Sequence, residues 1–124
     1  MVKLQSAANN QFIVAADGLS HNQGLYCKGG TPVSFEVVGP LNNCVLRVVG
    51  QELYLSYTDA TGAVKLWNTP EGANYQLERQ GNGTYAIRNI KYNQYVWLSG
   101  ESPYLTRRGD KTQATGQWRI QGLP

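Results

Sequence analysis

The side chains able to do acid–base or nucleophilic chemistry are few and poorly spaced for it. The single histidine, His21, sits in the polar loop His21-Asn22-Gln23-Gly24, where an imidazole is expected to be solvated and not catalytic. No Gly-x-Ser-x-Gly elbow, phosphate loop or dinucleotide fingerprint occurs. Eight acidic residues are spread along the chain, and nothing among them singles out a glycosidase-type pair. Cys27 and Cys44 are the only cysteines and lack any CxxC or Cys/His spacing, so no metal and no cofactor is expected. Two buried or half-buried free thiols are the plain expectation, since a disulfide needs matched geometry and an oxidising compartment. Together these absences point to a protein that is not an enzyme.

What remains is the chemistry of recognition. Asp17, Asp59 and Glu101 open loops with glycine close by, as in Asp17-Gly18, Thr61-Gly62 and Gly100-Glu101. A carboxylate accepts hydrogen bonds from neighbouring hydroxyls, and an aromatic ring stacks on the apolar face of a sugar. Trp67, Tyr26, Tyr104, Asn22 and Asn68 are the candidate companions. Weak sites repeated along one chain would gain by avidity. Asp and Gly also favour turns for their own sake, so the pattern serves either purpose. A second group, Arg107, Arg108 and Lys111, with Arg119 close in sequence, is basic and lies near Tyr92 and Trp97, which are expected to be exposed. It suits an acidic partner such as an actin surface, an anionic lipid or a sulfated glycan, or simply a solvated edge.

The formal charge of +3 is mild and forms no dense basic stripe, so nucleic acid is not an expected partner. No apolar run approaches membrane-spanning length. Met1-Val2-Lys3-Leu4-Gln5 lacks an apolar signal core, so a cytoplasmic location is expected, with secretion open if a leader has been removed.

The elements that must hold these residues are short strands. Thr84-Tyr85-Ala86-Ile87-Arg88-Asn89 alternates with period two, and Asn43-Cys44-Val45-Leu46-Arg47-Val48 and Val2-Lys3-Leu4-Gln5 share its outline. Leu4, Leu46 and Ile87 are then equivalent, as are the pairs Phe12-Ile13, Tyr54-Leu55 and Tyr95-Val96, all at spacings of 42 and 41. Third strands fall near Leu25-Tyr26-Cys27, Val64-Lys65-Leu66-Trp67 and Tyr104-Leu105-Thr106. Closing strands follow at Ser34-Phe35-Glu36-Val37, Asn74-Tyr75-Gln76-Leu77 and Gln117-Trp118-Arg119-Ile120. Glycine-rich and proline-containing turns separate them, and Gly81-Asn82-Gly83 suits a tight hairpin.

Four strands taken three times give twelve. One such unit cannot bury its apolar face alone, whereas three closed about a pseudo-threefold axis can. The chain therefore reads as all-β, a β-trefoil of one domain over 1–124, with repeats at about 1–41, 42–82 and 83–124. Leu4/Leu46/Ile87, Ile13/Leu55/Val96 and Val37/Leu77/Ile120 are the expected core layers, with Phe35, Tyr75 and Trp118 closing the wide end. Asp17 and Asp59 take equivalent places after the second strand, and Glu101 lies one position past the equivalent Gly100.

Gly83-Thr84-Tyr85-Ala86-Ile87-Arg88-Asn89, Tyr95-Val96 and Gly116-Gln117-Trp118-Arg119-Ile120 resemble the fascin-like branch of β-trefoils. That resemblance implies the fold and an actin-binding or other protein-interaction role. The ricin-type lectin branch is a poorer match. Its sugar-binding acid would fall at Val14, Ser56 and Trp97, none of them acidic, and its Gln-x-Trp signature is missing. Small trefoils with acidic and aromatic loops bind carbohydrate by analogy, so a glycan or glycoprotein partner leads and actin follows. A protease inhibitor, using Thr69-Pro70-Glu71-Gly72 or Gly29-Gly30-Thr31-Pro32 as its rigid loop, comes third.

Overall fold

The structure is a computed structural model that describes residues 1–15, 17–57, 63–99, 105–109 and 113–123. In the first repeat the strands are β1 (Lys3–Ser6), β2 (Ile13–Ala15), β3 (Leu25–Cys27) and β4 (Phe35–Val38). In the second they are β5 (Val45–Val48), β6 (Tyr54–Tyr57), β7 (Val64–Trp67) and β8 (Tyr75–Arg79). In the third they are β9 (Tyr85–Asn89), β10 (Gln94–Leu98), β11 (Leu105–Arg108) and β12 (Trp118–Gln121). A 3₁₀ turn at Ala114–Gly116 precedes β12.

Six of these strands close on themselves. β1 pairs with β12, β12 with β9, and β9 with β8, all antiparallel. The bridge Cys44↔Tyr75 carries the ring from β8 to β5, β5 pairs with β4, and Val2↔Phe35 returns it to β1. Closure removes the free edges that an open sheet would expose. The other six strands form three hairpins, β2–β3, β6–β7 and β10–β11, whose strands β3, β7 and β11 meet one another. The molecule is an all-β trefoil.

Period-two alternation sends the expected residues inward. Leu4, Leu46 and Ile87 have no exposed surface, nor do Ile13, Leu55 and Val96, nor Phe35, Tyr75 and Trp118. The hairpins add Leu25, Leu66 and Leu105. One layer is less regular than expected, because Leu77 and Ile120 are buried while Val37 is half-buried. Gly39 turns the chain directly after β4 at φ +108°, where a Cβ would fall 2.7 Å from the Asn43 carbonyl, so only glycine fits. The β8–β9 connection also differs from a two-residue hairpin. It runs over residues 80–84, with Gly83 at φ +81° and Asn82 Oδ1 accepting from the Thr84 hydroxyl at 2.6 Å.

Threefold symmetry extends to the interior hydrogen bonds. The Tyr75 hydroxyl donates to Leu55 O at 2.8 Å, and Trp118 Nε1 donates to Val96 O at 3.0 Å. Phe35 has no donor, and the equivalent carbonyl, Ile13 O, accepts instead from the Val33 N–H at 2.9 Å. Each interior carbonyl is satisfied, by a different donor each time.

Candidate functional site

β7 places Val64 and Leu66 in the core and turns Lys65 and Trp67 outward. The loop between β2 and β3 lies across this outward face. Asn22 N–H donates to Leu66 O at 2.7 Å, Leu66 N–H donates to Gln23 O at 3.0 Å, and Gly24 bridges Lys65. Asn22 makes this possible by taking a left-handed conformation, φ +67°, which asparagine tolerates better than most side chains. The first repeat is thereby strapped to the second.

The strap builds a polar platform around one aromatic ring. His21 lies on Trp67 with ring centroids 4.1 Å apart and planes inclined at 56°. His21 Nδ1 accepts from the Asn68 N–H at 3.1 Å, which assigns the imidazole proton to Nε2. Lys65 Nζ donates to Asn22 Oδ1 at 3.5 Å. His21, Asn22 and Asn68 are exposed, and Lys65 and Trp67 half-buried. Donors, acceptors and an aromatic ring therefore meet at the surface.

Three expected site residues, Asn22, Trp67 and Asn68, are brought together. His21 departs from expectation: it is exposed, but as a structural partner of Trp67 and Asn68 and not as a merely solvated loop residue. Nothing in its local sequence signals this, because the contact spans 46 positions and depends on where the β2–β3 loop docks. Asp17 stands exposed in the turn after β2, apart from the platform; Gly18 and Leu19 beside it line a cleft of about 300 Å³ with Pro32 and Val49. Tyr26 carries Lys28 Nζ 4.9 Å from its ring centroid and borders a cavity of about 100 Å³ where the hairpins meet. Asp59, Glu101, Tyr104 and Lys111 lie outside the described residues.

The basic group takes an unexpected form. Arg107 pairs with Val96 across β10–β11, a place held by Cys27 opposite Ile13 and by Leu66 opposite Leu55, both buried. An arginine thus stands where the other repeats bury an apolar side chain. Its guanidinium carbon lies 5.3 Å from the Tyr57 ring and 5.2 Å from the Tyr92 ring, and those two rings are nearly parallel at 5.9 Å. Nη1 is buried with no hydrogen-bond partner. Tyr92 and Trp97 are half-buried, not freely exposed as expected, because cations cover them: Lys91 Nζ is 5.2 Å from Tyr92 and Arg108 is 5.5 Å from Trp97. Arg119 is tied to Asn10 Oδ1 at 2.8 Å. Among the described residues, ion pairs engage Arg47 and Arg88 and not Lys91, Arg107 or Arg108.

Both cysteines are buried free thiols. Burial pushes the Cys27 thiol up to about 12 and the Cys44 thiol up to about 11. Among the described residues no three His, Cys, Asp or Glu side chains gather as metal ligands, and no helix is long and apolar enough to cross a membrane.

No protein-family model matches the chain. Hemolysin-1 of Aeromonas salmonicida is 29% identical over 126 residues, covering 97% of this chain and 22% of the relative. The chain thus spans about a fifth of the length of that curated relative. Among solved structures, a Culex quinquefasciatus salivary protein of the cysteine- and tryptophan-rich family superposes with TM-score 0.81 at 23% identity, covering 98% and 91% of the two chains. The designed threefold-symmetric protein ThreeFoil gives 0.78 at 12% identity, covering 98% of each. SeviL, solved with the asialo-GM1 saccharide, gives 0.73 at 14% identity, covering 98% and 97%. These likenesses speak for the trefoil fold. None of these proteins is described as a fascin or as actin-binding, so the fascin-like branch expected from the sequence gains no support.

Proposed function

We propose that the chain is a non-enzymatic, lectin-like module, one unit over residues 1–124, that binds carbohydrate on the platform of His21, Asn22, Lys65, Trp67 and Asn68. The observation that carries this is the docking of the β2–β3 loop on β7, which gathers two asparagines, a lysine and a histidine around one tryptophan ring. An aromatic ring edged by amide and ammonium groups meets both faces of a sugar, the apolar one by stacking and the hydroxyl one by hydrogen bonds. SeviL, a structural neighbour, was solved with a bound saccharide, which supports the reading. Asp17, Asp59, Glu101 and Tyr104 are proposed, from the sequence pattern, as accessory ligand-binding residues. The related hemolysin is by name a lytic protein, and a module about a fifth of its length suits the part that attaches a longer protein to a glycan-bearing surface.

A glycan array run with the protein and with Trp67→Ala tests the proposal. Loss of the ring is expected to weaken binding by about 2 kcal/mol, the effect of removing an interface anchor, with the fold retained. An array without ligands, or a Trp67→Ala variant that binds as the parent does, would end it.

A second reading has its own observation. Lys91, Arg107 and Arg108, which form no ion pair among the described residues, lie over aromatic rings and suit an acidic protein or another anionic partner, with Lys111 proposed from the sequence for the same role. Salt-sensitive binding that Trp67→Ala spares and Arg108→Ala removes would favour it.

A further inference from the structure

The second and third repeats carry the same arginine and tyrosine at corresponding places: Arg47 and Tyr54 on β5 and β6, Arg88 and Tyr95 on β9 and β10, both 41 positions apart. Between Arg88 and Tyr95 the cleft is filled by Glu78 of β8, which pairs with Ala86. Its carboxylate accepts from Arg88 Nε at 3.1 Å and from the Tyr95 hydroxyl at 3.1 Å. Arg88 also donates to Gln76 and Asn93.

Beside Arg47 and Tyr54 the residue at that position, paired with Val45, is Val38 of β4. The carboxylates have moved to the rim, as Glu36 and Glu52 in the places of Gln76 and Asn93. They draw Arg47 outward, with Nη2 3.0 Å from Glu52 and Nη1 3.9 Å from Glu36, while Nε donates to Gln51 O at 2.9 Å. The Tyr54 hydroxyl follows, donating to Glu52 at 2.7 Å.

The cleft is therefore open, a groove of about 580 Å³ lined by Val38, Val45, Tyr54, Pro70, Glu71 and Asn74, among others. That volume is in the range of small-ligand sites. Val38 lies 46% exposed in it. The groove begins where the platform ends. Tyr54 pairs with Trp67 across β6–β7, and Asn68-Thr69-Pro70 runs from the platform into the groove wall. Arg47, the basic side chain that lines the groove, is already matched by carboxylates, so it offers no free charge to an anion. An apolar floor, a carboxylate acceptor at Glu71 and an amide at Asn74 suit a neutral ring bearing hydroxyls.

We infer that this groove is an extension subsite of the same glycan site, so that the ligand is a neutral oligosaccharide with one ring on Trp67 and the next along Val38 and Pro70. The inference rests on the carbohydrate-binding reading above. The molecule also supplies its own test, because Val38→Glu gives β4 the residue that β8 carries at the matching register position and closes the cleft as Glu78 does. The half-exposed position tolerates the change, and thermal melting checks that the fold is kept. Val38→Ala, which leaves the groove open, serves as control.

Binding is measured to neutral mono-, di-, tri- and tetrasaccharides that share one terminal sugar. For the parent protein and Val38→Ala, affinity is expected to rise by about tenfold or more between mono- and trisaccharide, as a second set of contacts is engaged. Val38→Glu is expected to lose that rise and keep the monosaccharide affinity. A rise that survives Val38→Glu, an equal loss at every length, or a parent protein indifferent to length overturns the subsite alone. A parent protein that binds none of them overturns the carbohydrate reading and the subsite with it.

Discussion

Arg47 and Arg88 occupy corresponding places in the second and third repeats, yet one is held at the surface by two carboxylates and the other inward by one. Placing the carboxylates at outer or inner positions goes with an open or a filled cleft on an otherwise shared frame. The hairpins differ too, since β7 has Leu66 in the core where β11 has Arg107. The trefoil tolerates this because its stability resides in layers to which all three repeats contribute, and each repeat is free to change what lies outside them.

The largest expected effect tests what the repeats share. Leu55→Asp buries an unpaired carboxylate in the layer of Ile13 and Val96, and is expected to remove about 4 kcal/mol or more, enough to unfold a domain of this size. Equilibrium urea unfolding measures it. A cooperative transition at an unchanged midpoint would show that the layer is not common property.

Those layers were legible in the sequence. Two independent sets of apolar residues recur at 42 and 41, and three units closed about one axis bury both. The sites were legible residue by residue but not as assemblies. Asn22, Trp67 and Asn68 have suitable types, whereas their meeting depends on two backbone hydrogen bonds between Asn22, Gln23 and Leu66, which no side chain announces. The groove escaped notice for a related reason. Val38 means something only beside Glu78, and that equivalence needs the registers of β4 on β5 and of β8 on β9. Arg107 looked like part of a solvated cluster because its buried counterparts, Cys27 and Leu66, become visible only once the hairpins are aligned.

The next effect in size separates the interiors of the two repeats by titration. Tyr57 and Tyr75 lie inside the second repeat, where the third has Leu98 and Trp118, and burial raises both tyrosine pKa values well above the usual 10.0. The thiols behave alike, rising from 9.0 to about 12 in Cys27 and about 11 in Cys44. All four groups hold their protons more tightly folded than unfolded. Stability is thus full below about pH 9 and is expected to fall as pH rises from there towards 12. Urea midpoints across this range follow the loss. Tyr57→Leu, which installs the third-repeat residue, is expected to flatten the profile, and an unchanged slope would show that the tyrosine does not contribute.

A smaller effect tests the clefts directly. Glu78→Ala leaves Arg88 Nε and the Tyr95 hydroxyl without their common acceptor in a site where both charged side chains are less than a quarter exposed. The expected cost is about 2 kcal/mol. Val38→Ala removes two methyl groups from an open groove and is expected to cost less than about 1 kcal/mol. Equal costs would mean that the two clefts are energetically alike in spite of their geometry.

The smallest expected effect has the opposite sign. Arg107→Leu gives β11 the residue that β7 carries at the same register position. It forfeits two cation–π contacts, each about 0.5–1 kcal/mol, and relieves a buried N–H without an acceptor, which costs about 1–3 kcal/mol. It also lets the side chain pack as Leu66 does. The balance favours leucine by about 1 kcal/mol, seen as a rise in the urea midpoint with an unchanged slope. A gain would mean that the third repeat holds a cation at a core position at the expense of stability, as a binding surface for anions would require. Lower stability in the variant would instead make Arg107 a structural member of the Tyr57–Tyr92 pair, and the difference between the second and third repeats would then be one of packing alone.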